Sequence, residues 1–560
     1  MNATPLYAAI LGHASERPHA IAAIDGAHTI SYAQFAADIE CVSRRLHALA
    51  LAPDQLCAIH VLQPYLHWLL LIGLWRNGIL SLSVDNSATP DVLAFAGAEV
   101  LLSDQGGPVF GGRHIDVDAS WLGADAGTLA PFQEKTLGAD QGVRLALSSG
   151  TTGAAKKIVL TRAVIDARLE RVRRNPRFDA SVCFMSMVSI SAIEFFFSVG
   201  VWTVGGSVEF WRQPVHNALV KGELMANLLF MNTAQLNELV NALPAAHKAS
   251  RSLIVLVGGS IVPKEVCDKA HRRLTHSLMI MYGSTEAGVV AINPDPFEYA
   301  AHGVCGFVVP DMEVQVIGEA GHPQGAGVAG ELRIRSRSCV GHYRDDPVAS
   351  AAAFRDGWFH TGDLARLSGN GLLTIIGRID EVMNFGGWKV APSVIESRLF
   401  KCAGVRDLAA FAAPGADGMD QLWVAVVRGD GYLHEALLAL WEKADTPVKA
   451  LNVGYLDAIP RNAMGKVMRE QLRTWVSSSR ASAPEPAASG LEGGAGMVNI
   501  DGKLYALASL SEPVRAQLAS LKFVDAELER LHASLAVYQT ARMAYCAALN
   551  QLLAEQSSLH

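Results

Sequence analysis

The chain has 560 residues, of which 50% are hydrophobic and 18% are charged, and its formal net charge is -7. This length predicts several domains, and the composition excludes a chain that is disordered throughout. Lysine and arginine do not dominate the composition. We therefore expect no general binding of nucleic acid, which needs clustered cations to displace counterions.

The cysteines and the N-terminal residues predict a cytoplasmic protein. The eight cysteines are scattered without a CxxC pair, which favours reduced thiols over a disulfide framework or a zinc site. The N-terminal segment MNATPLYAAILGHASERPH has no charged start followed by an apolar core. No secretory signal is therefore predicted.

The first part of the chain alternates short β-rich runs with helical patterns. Residues 29–85 contain HTISYAQFAADIECVSRRLHALA, CAIHVLQ, HWLLLIGLWRNG and ILSLSVD, an order that predicts α/β layers. Residues 182–211 form an apolar stretch long enough to cross a bilayer. Because Gly, Ser and Glu194 interrupt this stretch, we predict a buried strand and helix, with no transmembrane segment.

The alternation of strand, glycine turn and helix returns further along the chain. It is seen in RSLIVLVGGSIVPKEVCDKAHRRL and again in LMIMYGSTEAG, and short alternating strands follow in GELRIRSRS and GLLTIIGRIDEV. We predict an α/β fold with a large N-terminal domain of several subdomains, residues 1–379. A small α+β domain, residues 380–476, follows it.

The C-terminal residues predict a tethered module. Residues 477–496, SSSRASAPEPAASGLEGGAG, are typical of a flexible linker. In the module, residues 497–560, the segment VNIDGKLYAL predicts a β-hairpin turning at Asp501-Gly502, and Ser511 then caps a helix. The helix carries a heptad seam at Leu521, Val524, Leu528, Leu531, Leu535, Tyr538, Tyr545, Leu549 and Leu552. This coiled-coil-like pattern predicts a homo-oligomer or docking of a partner through the C-terminal helix.

The segment LALSSGTTGAAKK, residues 145–157, has small hydroxyl residues and glycines in one turn between an apolar run and two lysines. It is not a Walker A loop, because no glycine precedes the lysine in the required frame. Its glycines let successive backbone N–H groups converge on an anion, and its hydroxyl groups add donors, which predicts a polyphosphate site. Taken alone, this segment could also be a linker.

Four further motifs follow in order. They are Tyr282-Gly283-Ser284-Thr285-Glu286, Thr361-Gly362-Asp363, Gly377-Arg378-Ile379-Asp380 and Pro460-Arg461-Asn462-Ala463-Met464-Gly465-Lys466. In this order and spacing the set resembles the adenylate-forming, or AMP-binding, superfamily. That superfamily comprises acyl- and aryl-CoA synthetases, firefly luciferases and the adenylation domains of peptide synthetases. The resemblance covers roughly residues 5–476 and is nearest to acyl-CoA synthetases.

The resemblance implies a site for ATP and Mg²⁺ in the large domain. The phosphate loop would consist of Ser148, Ser149, Gly150, Thr151, Thr152, Gly153 and Lys156. The adenine pocket would be formed by Gly258, Gly259, Ser260, Tyr282, Gly283 and Ser284. Thr285 would contact the α-phosphate, and Glu286 would hold Mg²⁺. Asp363 would accept hydrogen bonds from the ribose, supported by Arg378.

The resemblance also implies a mobile C-terminal domain that turns about Asp380. Lys466 would enter the site during adenylation, so Lys466, Glu286 and Thr285 are the predicted catalytic residues. The segment Gly386-Gly387-Trp388-Lys389 would later face the thiol, which belongs to coenzyme A or to the phosphopantetheine of a carrier protein. Neutralising the charge of two anions that must meet is the physical reason for a lysine and Mg²⁺ here.

Several positions depart from the usual pattern of this superfamily. The proline of the phosphate loop is Ala155, the glycine after Lys156 is Lys157, the usual TH is Thr161-Arg162, and a common lysine is Asn384. None of these changes deletes a catalytic group, and the loss of proline loosens the loop.

The substrate predicted from these features is a carboxylic acid other than a free amino acid. No aspartate stands near Ser189 to pair with an ammonium group, whose burial without a counter-charge is costly. The cluster Phe195-Phe196-Phe197 predicts either an apolar acyl or aryl pocket or plain core, and Glu194 either a partner for a cationic substrate group or a helix-start acid. The basic run in residues 168–177 predicts a solvated helix face, which is favoured over a phosphate site for coenzyme A.

The predicted function is an ATP-dependent carboxylic acid:thiol ligase that forms an acyl-adenylate, releases pyrophosphate and then makes a thioester. One alternative is a ligase that loads a carrier protein in a biosynthetic pathway. Another is a scaffold without catalysis, which retention of Lys466, Glu286 and Asp363 disfavours.

Overall fold

The structure is a computed structural model that describes residues 5–53, 55–84, 89–106, 110–122, 132–148, 155–188, 192–210, 214–299, 301–415, 419–462, 465–481, 497–500, 503–506 and 511. Its α-helices are α1 Pro5–Glu16, α2 Tyr32–Ala48, α3 Pro64–Asn77, α4 Pro90–Ala96, α5 Arg162–Arg174, α6 Ala192–Thr203, α7 Val215–Lys221, α8 Thr233–Ala242, α9 Lys264–Arg273, α10 Pro347–Ala353, α11 Pro392–Leu399, α12 His434–Glu442 and α13 Arg469–Ala481.

The first half of the chain contributes the strands β1 Ile21–Asp25, β2 His28–Ser31, β3 Leu56–His60, β4 Leu80–Ser83, β5 Val100–Ser103, β6 Arg113–Asp116, β7 Gly142–Ser148, β8 Lys156–Thr161, β9 Cys183–Ser186, β10 Ser207–Phe210, β11 Leu228–Asn232, β12 Ser250–Gly258 and β13 Thr275–Ser284. The second half contributes β14 Gly288–Asn293, β15 Val304–Val308, β16 Glu313–Ile317, β17 Gly330–Arg335, β18 Phe354–Arg355, β19 Trp358–Leu367, β20 Leu372–Arg378, β21 Met383–Phe385, β22 Trp388–Val390, β23 Val405–Pro414, β24 Asp420–Arg428, β25 Asn452–Tyr455, β26 Met497–Ile500 and β27 Lys503–Ala506.

The described residues fall into two units, Met1–Arg480 and Ala481–His560. In the first unit, one sheet has the order β6-β5-β3-β4-β7-β8, and a 14-stranded sheet runs from β16 through β13, β12 and β11 to β2. A three-stranded sheet, β23-β24-β25, and the hairpin β21-β22 follow the predicted hinge. This mixture of parallel and antiparallel sheets with helices confirms the predicted α/β class. The boundary at residue 380 stays a prediction.

Helix α3 explains how the two large sheets share a core. Every residue of α3 after Pro64 is buried, so this helix is packed on all sides. Trp68 of α3 stacks on Phe195 at 5.8 Å between ring centroids and meets Trp202 edge-on at 5.1 Å. The indole nitrogen of Trp202 donates to Ala22 O at 2.8 Å, which satisfies its polar group inside the core.

The apolar stretch at residues 182–211 forms β9, α6 and β10, as predicted. Within the part of the chain that the structure describes, no helix combines the length and the apolarity needed to cross a membrane.

The C-terminal unit is described over two short strands. β26 pairs antiparallel with β27, with Ile500 opposite Lys503, and this register confirms the predicted hairpin. The turn at residues 501–502 and the heptad seam lie outside the described residues. Helix α13 runs to Ala481, so residues 477–481 of the predicted linker are helical. The hydroxyl groups of Ser477 and Ser478 donate back to Arg473 O and Trp475 O, which lets serine continue a helix.

His67 predicts a pH dependence of stability. Its ring lies fully inside the core, 2.8 Å from Ser83 Oγ and 3.3 Å from Val61 O. Burial lowers its pKa to about 4, and the charge of Arg144 acts in the same direction. The unfolded chain therefore takes up a proton here near pH 6.5, whereas the folded protein takes it up only near pH 4. From pH 7 to pH 5 the free energy of unfolding should fall by about 2 kcal/mol through this group.

The measurement is the thermal midpoint at pH 7 and pH 5 for the wild type, for His67→Gln and for His28→Gln. His28 is exposed and serves as the control. We expect the midpoint of His67→Gln to depend less on pH than that of the other two proteins. Equal pH dependence in all three would contradict the assignment.

Candidate functional site

A cavity of about 890 Å³ lies where the carboxyl ends of several strands meet. In the parallel set β11, β12 and β13, Asn232 is opposite Gly258, and Val257 is opposite Ile280. Because neighbouring parallel strands end at the same sheet edge, the turns that follow them converge. The predicted site residues that line the cavity are Ser148, Lys156, Gly259, Ser260, Tyr282, Gly283, Ser284, Thr285, Glu286, Asp363, Arg378 and Lys466.

Asp363 sits at one corner of this cavity within a group of polar side chains. It is directly opposite Arg378 in the β19–β20 ladder. Its carboxylate accepts a hydrogen bond from the hydroxyl of Tyr282 and lies 3.4 Å from Arg378 Nη1. Arg378 also donates to Thr361 O at 2.7 Å and to Asp380 at 3.1 Å. The guanidinium group of Arg378 therefore joins Asp363, the predicted ribose acceptor, to Asp380, the predicted hinge residue.

Burial raises the pKa of Asp363, while Arg378, Tyr282 and Lys466 act in the opposite direction. The same burial, together with the charge of Asp363, raises the pKa of Tyr282 well above its ordinary value. Tyr282 therefore stays a hydroxyl donor at neutral pH. The carboxylate of Asp363 is held as an acceptor in a confined space, which suits a ligand that offers hydroxyl donors.

Tyr343 contacts both Glu286 and Lys156. The hydroxyl of Tyr343 donates to Glu286 Oε1 at 3.0 Å, and Lys156 Nζ lies 4.6 Å from the centroid of the Tyr343 ring. The tyrosine thus places an anion at its polar end and a cation over its face, where the ring quadrupole is negative. Tyr343 has its pKa raised by burial and by Glu286, so it remains a donor.

The donor set around Glu286 fits Mg²⁺ bound together with a nucleotide. Among the described residues, no group of three or more His, Cys, Asp or Glu side chains could hold a metal ion. Mg²⁺ commonly uses one or two carboxylates and takes its other ligands from water and substrate phosphates. A single carboxylate on the cavity wall is therefore the kind of site that the predicted chemistry needs.

The end of β13 has little room. A Cβ atom at Gly283 would collide with Gly288 O, so glycine lets the two backbone segments approach. On the neighbouring turn, the hydroxyl of Thr233 donates to Ser260 O at 3.1 Å. These contacts fix the backbone from which the predicted adenine pocket is built.

Lys466 reaches the cavity from the C-terminal part of the unit. Its charge acts on the pKa of Asp363. The preceding residue, Gly465, has φ of 78° and lies so close to α8 that a Cβ atom would be 2.7 Å from Asn232 Cγ. Glycine is favoured here for both reasons.

Ion pairs hold the segment that carries Lys466. Arg461 Nη2 lies 2.9 Å from Asp407, and Arg469 lies 2.8 Å from both Glu381 and Glu396. These side chains are largely screened from water, and burial raises the pKa values of Asp407 and Glu381. Their orientation is therefore set by paired charges rather than by solvent.

Other predicted residues lie elsewhere. Gly386, Gly387, Trp388 and Lys389 belong to the β21–β22 hairpin and do not line the cavity; Lys389 is exposed. Ser149, Gly150, Thr151, Thr152 and Gly153 lie outside the described residues, as do Ser189 and the side chain of Glu194.

For two groups of residues near the cavity, the structure decides between open alternatives in one case and corrects an expectation in the other. The cluster Phe195-Phe196-Phe197 is buried at 2–8% exposure and does not line the cavity, so of the two possibilities it is core. The basic run was expected to be a solvated face, but Arg168 is only 5% exposed. The spacing Val164, Ile165, Arg168 and Leu169 puts this arginine on the apolar stripe of α5, which is the signal that could have revealed its burial.

Sequence reasoning also missed Tyr343. It follows β17 in the segment SRSCVGHYRDDP, and an aromatic residue among charged residues gives no specific signal. Only the fold brings it to Glu286.

The chain is similar to known proteins in sequence and in fold. The profile of the family described as AMP-binding enzyme matches residues 12–344. Among curated proteins, 4-coumarate--CoA ligase 2 of Oryza sativa subsp. japonica is 30% identical over 385 residues, which is 62% of this chain and 64% of that protein. Long-chain-fatty-acid--CoA ligase of Salmonella typhimurium is 27% identical over 343 residues, which is 59% of this chain and 61% of that protein. The matches thus span less than two thirds of these relatives.

Among solved structures, ATP-bound MatB from Rhodopseudomonas palustris superposes with a TM-score of 0.75 at 22% identity, covering 86% of this chain and 100% of that chain. At this identity the likeness establishes the fold alone.

Proposed function

The chain belongs to the AMP-binding enzyme family, and from this premise we propose that it is an ATP-dependent carboxylic acid:thiol ligase. In the first step a carboxylate oxygen of the acid attacks the α-phosphorus of ATP, the bond to the β-phosphate oxygen breaks, and pyrophosphate leaves. In the second step a thiol sulfur attacks the acyl carbon, AMP leaves, and the thiol proton passes to solvent.

One observation carries this proposal. Residues from separate parts of the chain, among them Lys156, Glu286, Asp363, Arg378 and Lys466, line a single cavity. Together they offer three cations, a carboxylate suited to Mg²⁺ and a carboxylate suited to ribose. This combination matches a reaction in which two anions must approach each other.

The proposed roles rest on the resemblance to the family and are supported by the contacts around the cavity. Asp363 accepts hydrogen bonds from the ribose, while Arg378 keeps its carboxylate oriented. Glu286 holds Mg²⁺, which when bound supplies charge neutralisation at the phosphates. Lys466 adds positive charge where the pyrophosphate departs, and Tyr282 provides an aromatic wall for the base. Thr285 contacts the α-phosphate from the turn after β13.

The arrangement in the structure favours the first step. Lys466 lines the cavity, whereas the β21–β22 hairpin, with Gly386, Gly387, Trp388 and Lys389, does not. We propose that the C-terminal domain, beginning at Asp380, turns about this residue and presents the hairpin to the thiol of coenzyme A or of a carrier protein. We further propose that the tail mediates self-association or docking and that the enzyme acts in the cytoplasm.

The first test of the function is acid-dependent exchange of pyrophosphate into ATP. A panel with 4-coumarate, long-chain fatty acids and other aryl and alkyl acids should contain at least one acid that supports exchange. Addition of coenzyme A or of a phosphopantetheinylated carrier protein then identifies the acceptor through the thioester formed. Free α-amino acids should support no exchange of pyrophosphate. Silence across the whole panel would count against the proposal.

Lys466→Ala should separate the two steps. Removing the ammonium group should lower the rate of adenylate formation by about 10²–10³-fold, the usual cost of losing one preorganised charge. Thioester formation from a supplied acyl-adenylate should keep its rate. Lys443→Ala, an exposed lysine of the same domain, is the control. Equal loss in both steps would refute the role of Lys466.

Asp363→Asn should weaken ATP binding about tenfold or more, because the amide replaces a charged acceptor. Since the pKa of Asp363 is raised, wild-type affinity should fall as the pH is lowered, beginning above the range of an ordinary aspartate. Calorimetric titration at several pH values checks both expectations. The variant should lack this pH dependence, whereas Asp311→Asn, at a half-exposed residue with positive φ, should retain it. Unchanged affinity in Asp363→Asn would contradict the assignment.

A further inference from the structure

The buried arginine of α5 ties together three segments at the cavity wall. Arg168 donates from Nε to Ser338 O at 3.0 Å, and its Nη2 donates to both Thr285 O and Glu286 O at 3.0 Å. Its guanidinium carbon lies 4.9 Å from the centroid of the Phe196 ring. A single side chain thus contacts the turn after β13, the segment after β17 and the core.

The turn that carries the proposed magnesium ligand is held along its whole length. Glu286 O accepts a second hydrogen bond from Val340 N at 2.9 Å, and Ala287 O accepts one from Ser338 Oγ at 3.1 Å. Ala287 N in turn donates to Ser284 Oγ at 3.2 Å. The backbone position of Glu286 is therefore fixed mainly by groups outside its own turn.

Folding stability alone does not account for this arginine. Burial lowers the pKa of Arg168 to about 10, which leaves it charged at neutral pH but shows that removing it from water is costly. Its Nη1 atom has no hydrogen-bond partner among the described residues. An apolar side chain could fill such a place at lower cost. What the arginine adds is three directed hydrogen bonds to carbonyl groups.

We propose that Arg168 is a positioning residue for adenylation. By holding the carbonyl groups of Thr285 and Glu286, it keeps the Glu286 carboxylate at Tyr343 and on the cavity wall, in the place where Mg²⁺ bound to the nucleotide would meet it. This inference rests on the proposed function. A displacement of about 1 Å at such a group costs roughly 10²-fold in rate.

The test compares Arg168→Met, Arg168→Lys and Arg171→Met with the wild type. Arg171 lies one turn further along α5 and donates to Val289 O at 2.7 Å, so it is a matched arginine that does not contact Thr285 or Glu286. Calorimetry measures ATP binding at a series of Mg²⁺ concentrations. Hydrogen exchange measures protection of residues 284–288, and pyrophosphate exchange measures the rate.

We expect Arg168→Met to need about tenfold more Mg²⁺ for half-maximal ATP binding and to lose protection at residues 284–288. Its adenylation rate should fall about 10²-fold, while KM for the acid should stay constant. Arg168→Lys, which keeps the charge and one donor group, should recover part of each loss, and Arg171→Met should match the wild type. If Arg168→Met does not fold, Arg168→Lys alone should show the same changes in smaller measure.

A folded Arg168→Met with wild-type Mg²⁺ dependence would overturn the inference, and so would equal changes in Arg171→Met. A different result would refute the proposed function itself. That result is a wild-type protein that binds no ATP in the presence of Mg²⁺, or that exchanges no pyrophosphate with any acid.

Discussion

The hydrogen bond from Tyr282 to Asp363 joins the two halves of the cavity. Tyr282 ends the parallel part of the large sheet, where α/β proteins commonly place ligands, whereas Asp363 stands on an antiparallel hairpin. Without a contact between them, each half would present only part of the proposed nucleotide site. Burial raises the pKa of the phenol and keeps it a hydroxyl donor, while a neighbouring arginine opposes the rise that burial causes in the pKa of the carboxyl group.

That arginine, Arg378, links the cavity to the predicted hinge. It contacts Asp363 on one side and Asp380 on the other. A change in the backbone at Asp380 therefore changes the surroundings of the proposed ribose acceptor. The ion pairs of Arg469 with Glu381 and Glu396 continue this set of charges toward the segment that carries Lys466. A movement of the C-terminal segment would therefore change the electrostatic environment of the cavity, because adjacent charged groups connect the two.

The sequence allowed the α/β class and the apolar strand–helix run to be predicted, because periodicity is a local property. The convergence of the five motifs on one site was implied by the resemblance to a family and not by local pattern. The sequence did not reveal that Arg168 is buried, since a basic run resembles a solvated face unless its spacing is compared with the apolar stripe of α5. Tyr343 was missed because its partner, Glu286, is distant in sequence. The Phe195 cluster could not be assigned to pocket or core, because both uses require the same apolar side chains.

One departure from the usual family pattern, Lys157 at the C-terminal side of the predicted phosphate loop, makes contacts that explain its presence. Lys157, which replaces the usual glycine, lies 2.6 Å from Asp345 and its carbonyl accepts a hydrogen bond from Arg344 N at 2.8 Å. These contacts attach the start of β8 to the segment that carries Tyr343. An exposed ion pair alone contributes little, but here it accompanies a backbone hydrogen bond beside Lys156. The lysine whose ammonium lies over Tyr343 is therefore anchored by its neighbour.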